Sequence, residues 1–438
     1  MVLRLVFLSV LFGCSQSLFD QHPGLTGSNG SNGSNGSGAD GGLPDACPAP
    51  CLANGGGDFG MPGKNWRYLE DTRNRTWVAM TQSGMTEVGT DDPMNKIEAC
   101  ANDMTQPACA ELPAALLVTS SGSASMGDPA IEWTATSNES VAIELGVFVP
   151  SAGTPQNILL YRNSREDSLF TVEAMPGVRS SGSIVLDALA GDRFLVAVAP
   201  VAGGTTDVGL QFFASQGAGT FGKQCNLALG FSSGGATTPN ACGSPFTGMA
   251  DDGMGDESPQ PITIGPGPFP EQGSAGTFTA NNYIVGADIL DRSGDTTTQF
   301  WVQQGALVPD EGSWVFSDQD LDNTGGLGFD IYENAAGTGM SLDTVTCTGS
   351  GDPLQFAVAT ATYPSDGAWH FVRAVQTNGL LIVCIDNKMV GQVPVADGSL
   401  KTSFPPYDGM NVIWTPVGAF FNGSLDDLRS FKTALPCQ

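Results

Sequence analysis

Histidine is almost missing from this chain: there are 2 among 438 residues, His22 and His370. Activated nucleophiles depend most often on a histidine base, and zinc sites draw on histidine and paired cysteines, so both chemistries have little to build on. Cys47 and Cys51 make a Cys-x3-Cys with no matching second pair nearby. Positive charge is scarce too. Lys+Arg number 17 against 45 Asp+Glu, a formal net charge of −28. A surface of that sign repels nucleic acid and anionic headgroups, which argues against both as partners of the folded part. Past the first residues no apolar run is long enough to cross a bilayer. Phosphate-cradling loops are missing as well, because the glycines precede strands or turns and no helix N-terminus follows.

What is abundant points to β-structure. Gly 58 and Pro 28 with only 14% charged residues, and little helical periodicity, give an all-β profile rich in turns. The chain opens Met1-Val2-Leu3-Arg4, followed by an apolar run from Leu5 to Phe12 broken only by Ser9. One positive charge and a short hydrophobic core fit a secretion signal over 1–13. Its end, Leu11-Phe12-Gly13-Cys14, resembles a bacterial lipobox, which implies lipidation of Cys14 and an outer-membrane lipoprotein of the cell envelope. Residues 14–45 carry a Gly-Ser-Asn repeat, TGSNGSNGSNGSGADGG from Thr26 to Gly42. Nothing in it is apolar enough to bury, so it reads as a flexible tether. About 390 residues remain, enough for two or three domains.

The first folded unit spans 46–221. After a cysteine-containing entry, Trp66–Met80 mixes aromatics with both charge signs and reads as an exposed strand pair. Val141, Ile143, Leu145, Val147 and Val149 alternate with Ala142, Glu144 and Gly146. Ile158–Tyr161, Ile184–Leu186, Phe194–Val198 and Val208–Phe212 follow at regular spacing, with the turn Ala190-Gly191-Asp192 among them. Short strands separated by Gly and Asp turns predict an antiparallel sandwich. The Leu-Tyr strand and the Leu-x-Ala-Gly-Asp-x-Phe-Leu-Val-Ala-Val stretch resemble the pre-peptidase C-terminal type of β-sandwich. Pro155-Gln156-Asn157 stands where that family carries an Asp-x-Asp pair.

The second unit spans 225–438. Gly243–Gly276 is rich in Gly and Pro, with acidic residues at Asp251, Asp252, Asp256 and Glu257, and reads as a long loop. The clearest pattern lies from Asp366 to Val393. Phe371, Arg373 and Val375 share one strand face, and Val372 and Ala374 share the other. Thr377-Asn378-Gly379 turns the chain. Leu380–Ile385 is apolar on both faces and so belongs deep in a sheet, and Asp386-Asn387 closes a second turn. The start Asp366-Gly367-x-Trp369-His370 and the ending Gly423-Ser424-Leu425-Asp426-Asp427-Leu428, followed by an aromatic residue and Ala-Leu, resemble the laminin G-like, concanavalin A-like jelly roll. Arg292-Ser293-Gly294-Asp295-Thr296 before Phe300-Trp301-Val302 fits the same pattern. Asp386-Asn387 replaces the family's usual Asp-Gly hairpin; Asn tolerates positive φ well.

The resemblance sets further expectations. Ten cysteines in an exported chain read as disulfides beyond Cys14. Cys347 and Cys384 sit in or beside neighbouring jelly-roll strands and form the favoured pair. Cys225 and Cys437 bracket the unit, whose termini should meet, and form a second candidate pair; that leaves Cys242 free, or the reverse. Many laminin G-like domains bind one calcium at the sandwich rim. Asp318, Asp320, Asp322 and Asn323 follow the strand Trp314–Phe316 and offer hard oxygen ligands, with Asp291 and Asp295 as the alternative. The loop is not an EF-hand, because Asn323 takes the place of the sixth-position Gly and Phe329 that of the twelfth-position Glu. Glycosidases on related jelly rolls pair carboxylates on one strand face, but Glu257, Glu271, Glu311 and Glu333 are scattered. His370 reads as a packed structural residue, and no catalytic residue is assigned.

These features lead to an all-β chain, an antiparallel sandwich followed by a concanavalin A-like jelly roll, that binds rather than catalyses. Its expected role is a lipid-anchored bacterial envelope protein recognising a glycan or a surface protein through the C-terminal unit, with calcium assisting. A secreted polysaccharide-acting hydrolase or its accessory subunit, and a structural envelope scaffold, are the alternatives.

Overall fold

The computed structural model describes residues 46–72, 76–123, 125–231, 234–251, 257–270, 273–279, 281–286, 294–305, 313–318, 329–336, 339–347, 356–363, 366–394, 415–418 and 421–437. Over these residues the chain is built almost wholly from antiparallel strands, arranged as two sandwiches in chain order.

In the first sandwich one sheet runs Arg179–Ala188, Glu139–Phe148, Thr206–Gln216, Leu116–Ser120, Lys96–Ala99, Thr86–Val88, Thr81–Ser83, with Cys51–Asn54 also on Thr206–Gln216. Its partner runs Ser168–Ala174, Gln156–Arg162, Arg193–Pro200, Asp128–Thr134, Trp66–Asp71, Trp77–Ala79. Val141, Ile143, Leu145, Val147 and Val149 are buried, as are Ile158, Leu160, Phe194, Val196 and Val198, and together they make the core. The period-2 pattern therefore marks the face that meets the opposite sheet. The expected ribbon at Trp66–Met80 is a strand pair, with Leu69 opposite Ala79 and Asp71 opposite Trp77. It is exposed only in part. Trp66–Asp71 also pairs with Asp128–Thr134, and this interior position buries Leu69, Glu70 and Asp71.

In the second sandwich one sheet runs Thr263–Pro266, Ser274–Phe278, Gly423–Phe431, Thr296–Gln304, Trp369–Thr377, Leu380–Ile385, Lys388–Pro394, with Cys225–Leu229 on Gly423–Phe431. The facing sheet runs Thr237–Thr238, Phe246–Asp251, Asn282–Gly286, Thr415–Val417, Ser313–Asp318, Phe329–Ala336, Gly339–Cys347, Phe356–Tyr363. Phe231, Phe246, Phe278, Phe300, Phe316 and Phe421 pack between them with Val372, Leu381, Val383 and Leu428. Each such buried Phe contributes about 2–3 kcal/mol of apolar transfer. The two-turn ribbon is as expected: Asn378, Asp386 and Asn387 have φ of 48, 49 and 64°, the left-handed values that tight hairpins require. The 243–276 stretch differs from the expected loop, since it supplies strands at Phe246–Asp251, Glu257–Pro259, Thr263–Pro266 and Ser274–Phe278. They lie toward the margins of their sheets, where Gly and Pro are tolerated.

Disulfides join Cys47–Cys51, Cys100–Cys109, Cys225–Cys242 and Cys384–Cys437. Both expected C-terminal pairs are thus corrected. Leu381, Val383 and Ile385 point into the jelly-roll core. Strand alternation turns Cys384 to the opposite face, away from the sheet that carries Cys347 and toward residues 433–437. Cys225 is met by Cys242 because Asn240 Oδ1 accepts the N–H groups of Ala228 (3.0 Å) and Cys242 (3.1 Å), folding that turn back onto Cys225–Leu229.

The jelly-roll face that carries Cys384 does not face water. Gln299, Trp301, Phe371, Arg373, Arg429 and Phe431 lie on it and are all buried. Arg373 and Arg429 bond to the first sandwich, and Arg373 also to the C-terminal tail. Trp301 packs on Phe269 and Phe371. Phe431 and Leu435 belong to the first sandwich's core. This is why Thr296–Gln304 and Trp369–Thr377 are buried on both faces.

Candidate functional site

The Asp-Gly-x-Trp-His motif forms a clamp. Asp366 Oδ1 accepts the Ala368 N–H at 2.8 Å and faces His370 Nε2 at 3.1 Å. His370 Nδ1 lies 2.8 Å from Asp386 Oδ2, while Asp386 Oδ1 accepts the Phe371 N–H at 3.0 Å. Gly367, at φ 74°, presents its carbonyl to Gln303 Nε2 at 2.8 Å. The backbone bond to Ala368 and the bond to His370 hold the Asp366 carboxyl below the usual carboxylate range. The imidazole thus spans two carboxylates across the hairpin, and its work is to fix the turn at Asp386-Asn387.

The ending motif is a bulge. Arg429 lies opposite Gln299 and Asp426 opposite Trp301, so three steps on one strand match two on the other. Asp427 takes up the extra residue at φ 47°. Leu425 and Leu428 both enter the core as a result, while Asp426 and Arg429 both reach the opposite face. A Cβ on Gly423 would collide with the Gln303 carbonyl and the Phe421 ring, which accounts for the glycine.

Where the two sandwiches meet, these motif residues join an ionic network. Arg373 Nη2 donates to Asp167 at 2.7 Å, its Nη1 to the carbonyls of Ser168 (3.0 Å) and Pro436 (2.6 Å), and its Nε to Gln299 (3.2 Å). Arg162 Nε donates to the other Asp167 oxygen at 2.8 Å, and its guanidinium lies 4.4 Å from the Phe431 ring centre. Arg429 makes two parallel bonds to Asp192, each 2.8 Å, and a third to Asp427. Burial alone would raise the Asp192 carboxyl, but Arg429 overcomes it and holds Asp192 down at about 2. Burial lowers Arg373 to about 10, against the pull of Asp167.

Beside this network lies a cleft of about 260 Å³, lined by both units, with Asn163, Arg193 and Gly191 on one wall and Gly230, Phe231, Ser274 and Asp426 on the other. Arg162, Arg373 and Arg429 are matched by Asp167, Asp192 and Asp427. Asp426 is one carboxylate more, 4% exposed. Its Oδ1 accepts the Asp427 N–H at 2.8 Å. Burial, then the adjacent Asp427, push Asp426 up to about 8, so it is a neutral acid at pH 7.

The structure brings together Asp366, His370 and Asp386, and separately Asp426 and Asp427. Arg373, Arg429, Asp167 and Asp192 escaped sequence reasoning as a group. Their signal is Arg373, flanked by Phe371, Val372, Ala374 and Val375, in a chain with few cations. Cys14, the tether, Asp291, Asp320, Asp322 and Asn323 lie outside the described residues, as do the side chains of Asp318 and Cys347. Asp295 is described and exposed. Among the described residues no three His, Cys, Asp or Glu side chains converge on a possible metal position, and no helix is long and apolar enough to cross a membrane.

Comparison with known proteins gives one family match. Residues 278–438 match a laminin G model described as the concanavalin A-like lectin/glucanases superfamily. No curated protein matches the chain. Among solved structures, domain 4 of AbnA, a GH43 extracellular arabinanase from Geobacillus stearothermophilus in complex with arabinotriose, is 17% identical, covering 49% of this chain and 95% of its own, with a TM-score of 0.33. Domains LG4-5 of the mouse laminin alpha1 chain are 10% identical, covering 69% and 87%, with a TM-score of 0.23. The tandem CBM22 domains of Paenibacillus barcinonensis Xyn10C are 10% identical, covering 89% and 100%, with a TM-score of 0.25. All three likenesses are distant. The two facing sheets, the two end motifs and the family match agree: the C-terminal region, residues 278–438, is a concanavalin A-like domain.

Proposed function

We propose that this chain is a glycan-binding protein of a bacterial envelope, anchored through lipidated Cys14, with recognition residing in the C-terminal concanavalin A-like domain. The observation that carries the reading is the match of residues 278–438 to a superfamily of lectins and glucanases. Within that superfamily, binding is favoured over hydrolysis by the engagement of His370, the one histidine of the folded units, in the turn clamp between Asp366 and Asp386. The net charge of −28 also disfavours polyanionic ligands and suits neutral glycans. Calcium assistance at Asp318, Asp320, Asp322 and Asn323 is part of the proposal, since Asp318 ends the strand Ser313–Asp318 and the sequence after it offers oxygen ligands in alternation. The signal and lipobox pattern, the flexible tether and the four disulfides support export and anchoring.

The deciding experiment is a glycan array with residues 41–438, run in millimolar calcium and again in chelator. Selective binding to neutral glycans is the expected result, weakened in chelator if calcium assists. A blank array in both conditions would remove the glycan reading and leave a protein ligand or a scaffold. Metabolic labelling with a fatty acid tests the anchor: wild type should be labelled and Cys14→Ser should not.

A further inference from the structure

We propose that the cleft between the two sandwiches is a subsite for one uncharged sugar residue, held by hydrogen bonds to the Asp426 carboxyl; this rests on the glycan-binding reading above. Four observations converge on it. The cleft, about 260 Å³, is smaller than the roughly 300–1,000 Å³ sites of drug-sized ligands, which suits a single ring. Asp426 lines the cleft and is 4% exposed, and its Oδ1 accepts the Asp427 N–H. The surrounding cations are consumed: Arg429 by Asp192 and Asp427, and Arg193 by the Asn163 carbonyl at 2.6 Å and Glu132 at 3.5 Å. An anionic ligand would therefore find no free cation among them and would face the Asp426–Asp427 pair. Ser274 adds a neutral polar group to one wall and Phe231 an apolar one, while the Asn163 side chain is held by Asp192 and the Arg193 N–H.

The protonation state of Asp426 sets what it can do. A protonated carboxyl both donates and accepts, which matches a sugar hydroxyl. Around Asp426 the charged groups are Asp427 and Arg429 on its own strand and Asp192 and Arg193 across the cleft. The described residues of the 265–278 stretch and of Thr296–Gln304 bring none. Raised to about 8, Asp426 is neutral at pH 6 and ionised at pH 9. Ionisation removes the donor and places a second charge beside Asp427, so affinity should be present at the lower pH and fall as pH rises through 8.

The walls supply a steric test. Gly230 has open space around a would-be Cβ and lacks the positive φ that would strain a substitution. Gly230→Leu should fill the cleft without disturbing the fold, checked by its thermal melt.

The experiment uses residues 41–438 on neutral glycans from the array, at pH 6 and pH 9, with wild type, Gly230→Leu, Asp426→Asn and Asp426→Ala. Wild type is expected to lose about tenfold in affinity between the two pH values, and Asp426→Ala about the same at pH 6. Gly230→Leu should abolish binding. Asp426→Asn, whose amide both donates and accepts, should bind with no pH dependence over this range. Binding by Gly230→Leu equal to wild type would overturn the subsite while leaving the glycan reading intact. So would pH dependence unchanged in Asp426→Asn, which decides the matter if Gly230→Leu does not fold. Binding at the cleft that strengthens with pH and requires calcium would also overturn it, because an ionised Asp426–Asp427 pair is what a cation would hold. A blank array would sink both readings.

Discussion

Arg373 of the jelly roll and Asp167 of the first sandwich meet at 2.7 Å with side chains 1% and 2% exposed. Separating the sandwiches would break this ion pair and open Arg373 to water, leaving Asp167 with Arg162. Breaking a buried pair by removing one partner leaves an uncompensated ion, at about 3–5 kcal/mol. Arg373→Ala should fall near the lower end, about 3 kcal/mol, because Arg162 still holds Asp167. Urea unfolding followed by tryptophan fluorescence and by far-UV CD checks it. The wild type should unfold in a single transition by both probes; two separate transitions would show that the units are not coupled.

The two perturbed aspartates pull stability in opposite directions with pH. Asp192 is held at about 2 in the fold against an ordinary 3.8, so its contribution is present above that ordinary value and lost as pH falls toward 2. Asp426 is raised to about 8 from 3.8. Its contribution is full below the ordinary value and lost as pH rises through 8, with a slope of at most about 1.4 kcal/mol per pH unit for one proton. Denaturation midpoints measured from pH 5 to 9 should decline, and Asp426→Asn should flatten that decline. An unchanged slope in the variant would assign the decline to another group.

The hairpin clamp makes a graded series. Asp386→Ala loses the bonds to Phe371 N–H and His370, about 1–3 kcal/mol, and puts a methyl side chain at φ 49°, about 1 kcal/mol more. Asp386→Asn keeps an acceptor and tolerates the backbone, so it should cost clearly less. Asp366 is exposed, and Asp366→Ala should shift the midpoint least of the three. Equal losses for Asp386→Ala and Asp386→Asn in thermal melts would mean that the carboxylate charge, not the bonding geometry, secures the turn.

The four disulfides use eight of the ten cysteines and leave Cys14 and Cys347. Residues 41–438 should therefore titrate with one thiol per chain under denaturing, non-reducing conditions, and peptide mapping should place it at Cys347. Loss of the Cys384–Cys437 bridge in Cys437→Ser should cost about 2–4 kcal/mol. A mapped Cys347–Cys384 peptide would restore the pairing expected from the sequence.

Much of the jelly roll was legible because its signals are local. Alternation fixes which of Phe371 to Val375 face the core, and Thr377-Asn378-Gly379 and Asp386-Asn387 supply the only backbone that turns so tightly there. The disulfides were not legible, since neighbouring strands suggested Cys347 while the pleat sends Cys384 to the other side. Nor was the junction between units. Arg373 and Arg429 look like solvent-facing residues of a strand, and nothing local reveals that Asp167 and Asp192, far back in the chain, wait to neutralise them. At the candidate site, Asp426 stood out as a family motif, but its surplus charge exists only once the neighbouring ions have been counted in space.

Phe431 and Leu435 sit in the core of the first sandwich, although that sandwich's own strands end at Gln216. The ribosome therefore delivers the plug for the first unit long after its walls. Until the second unit has also been made, the hydrophobic seam that Phe431 and Leu435 cover stays open.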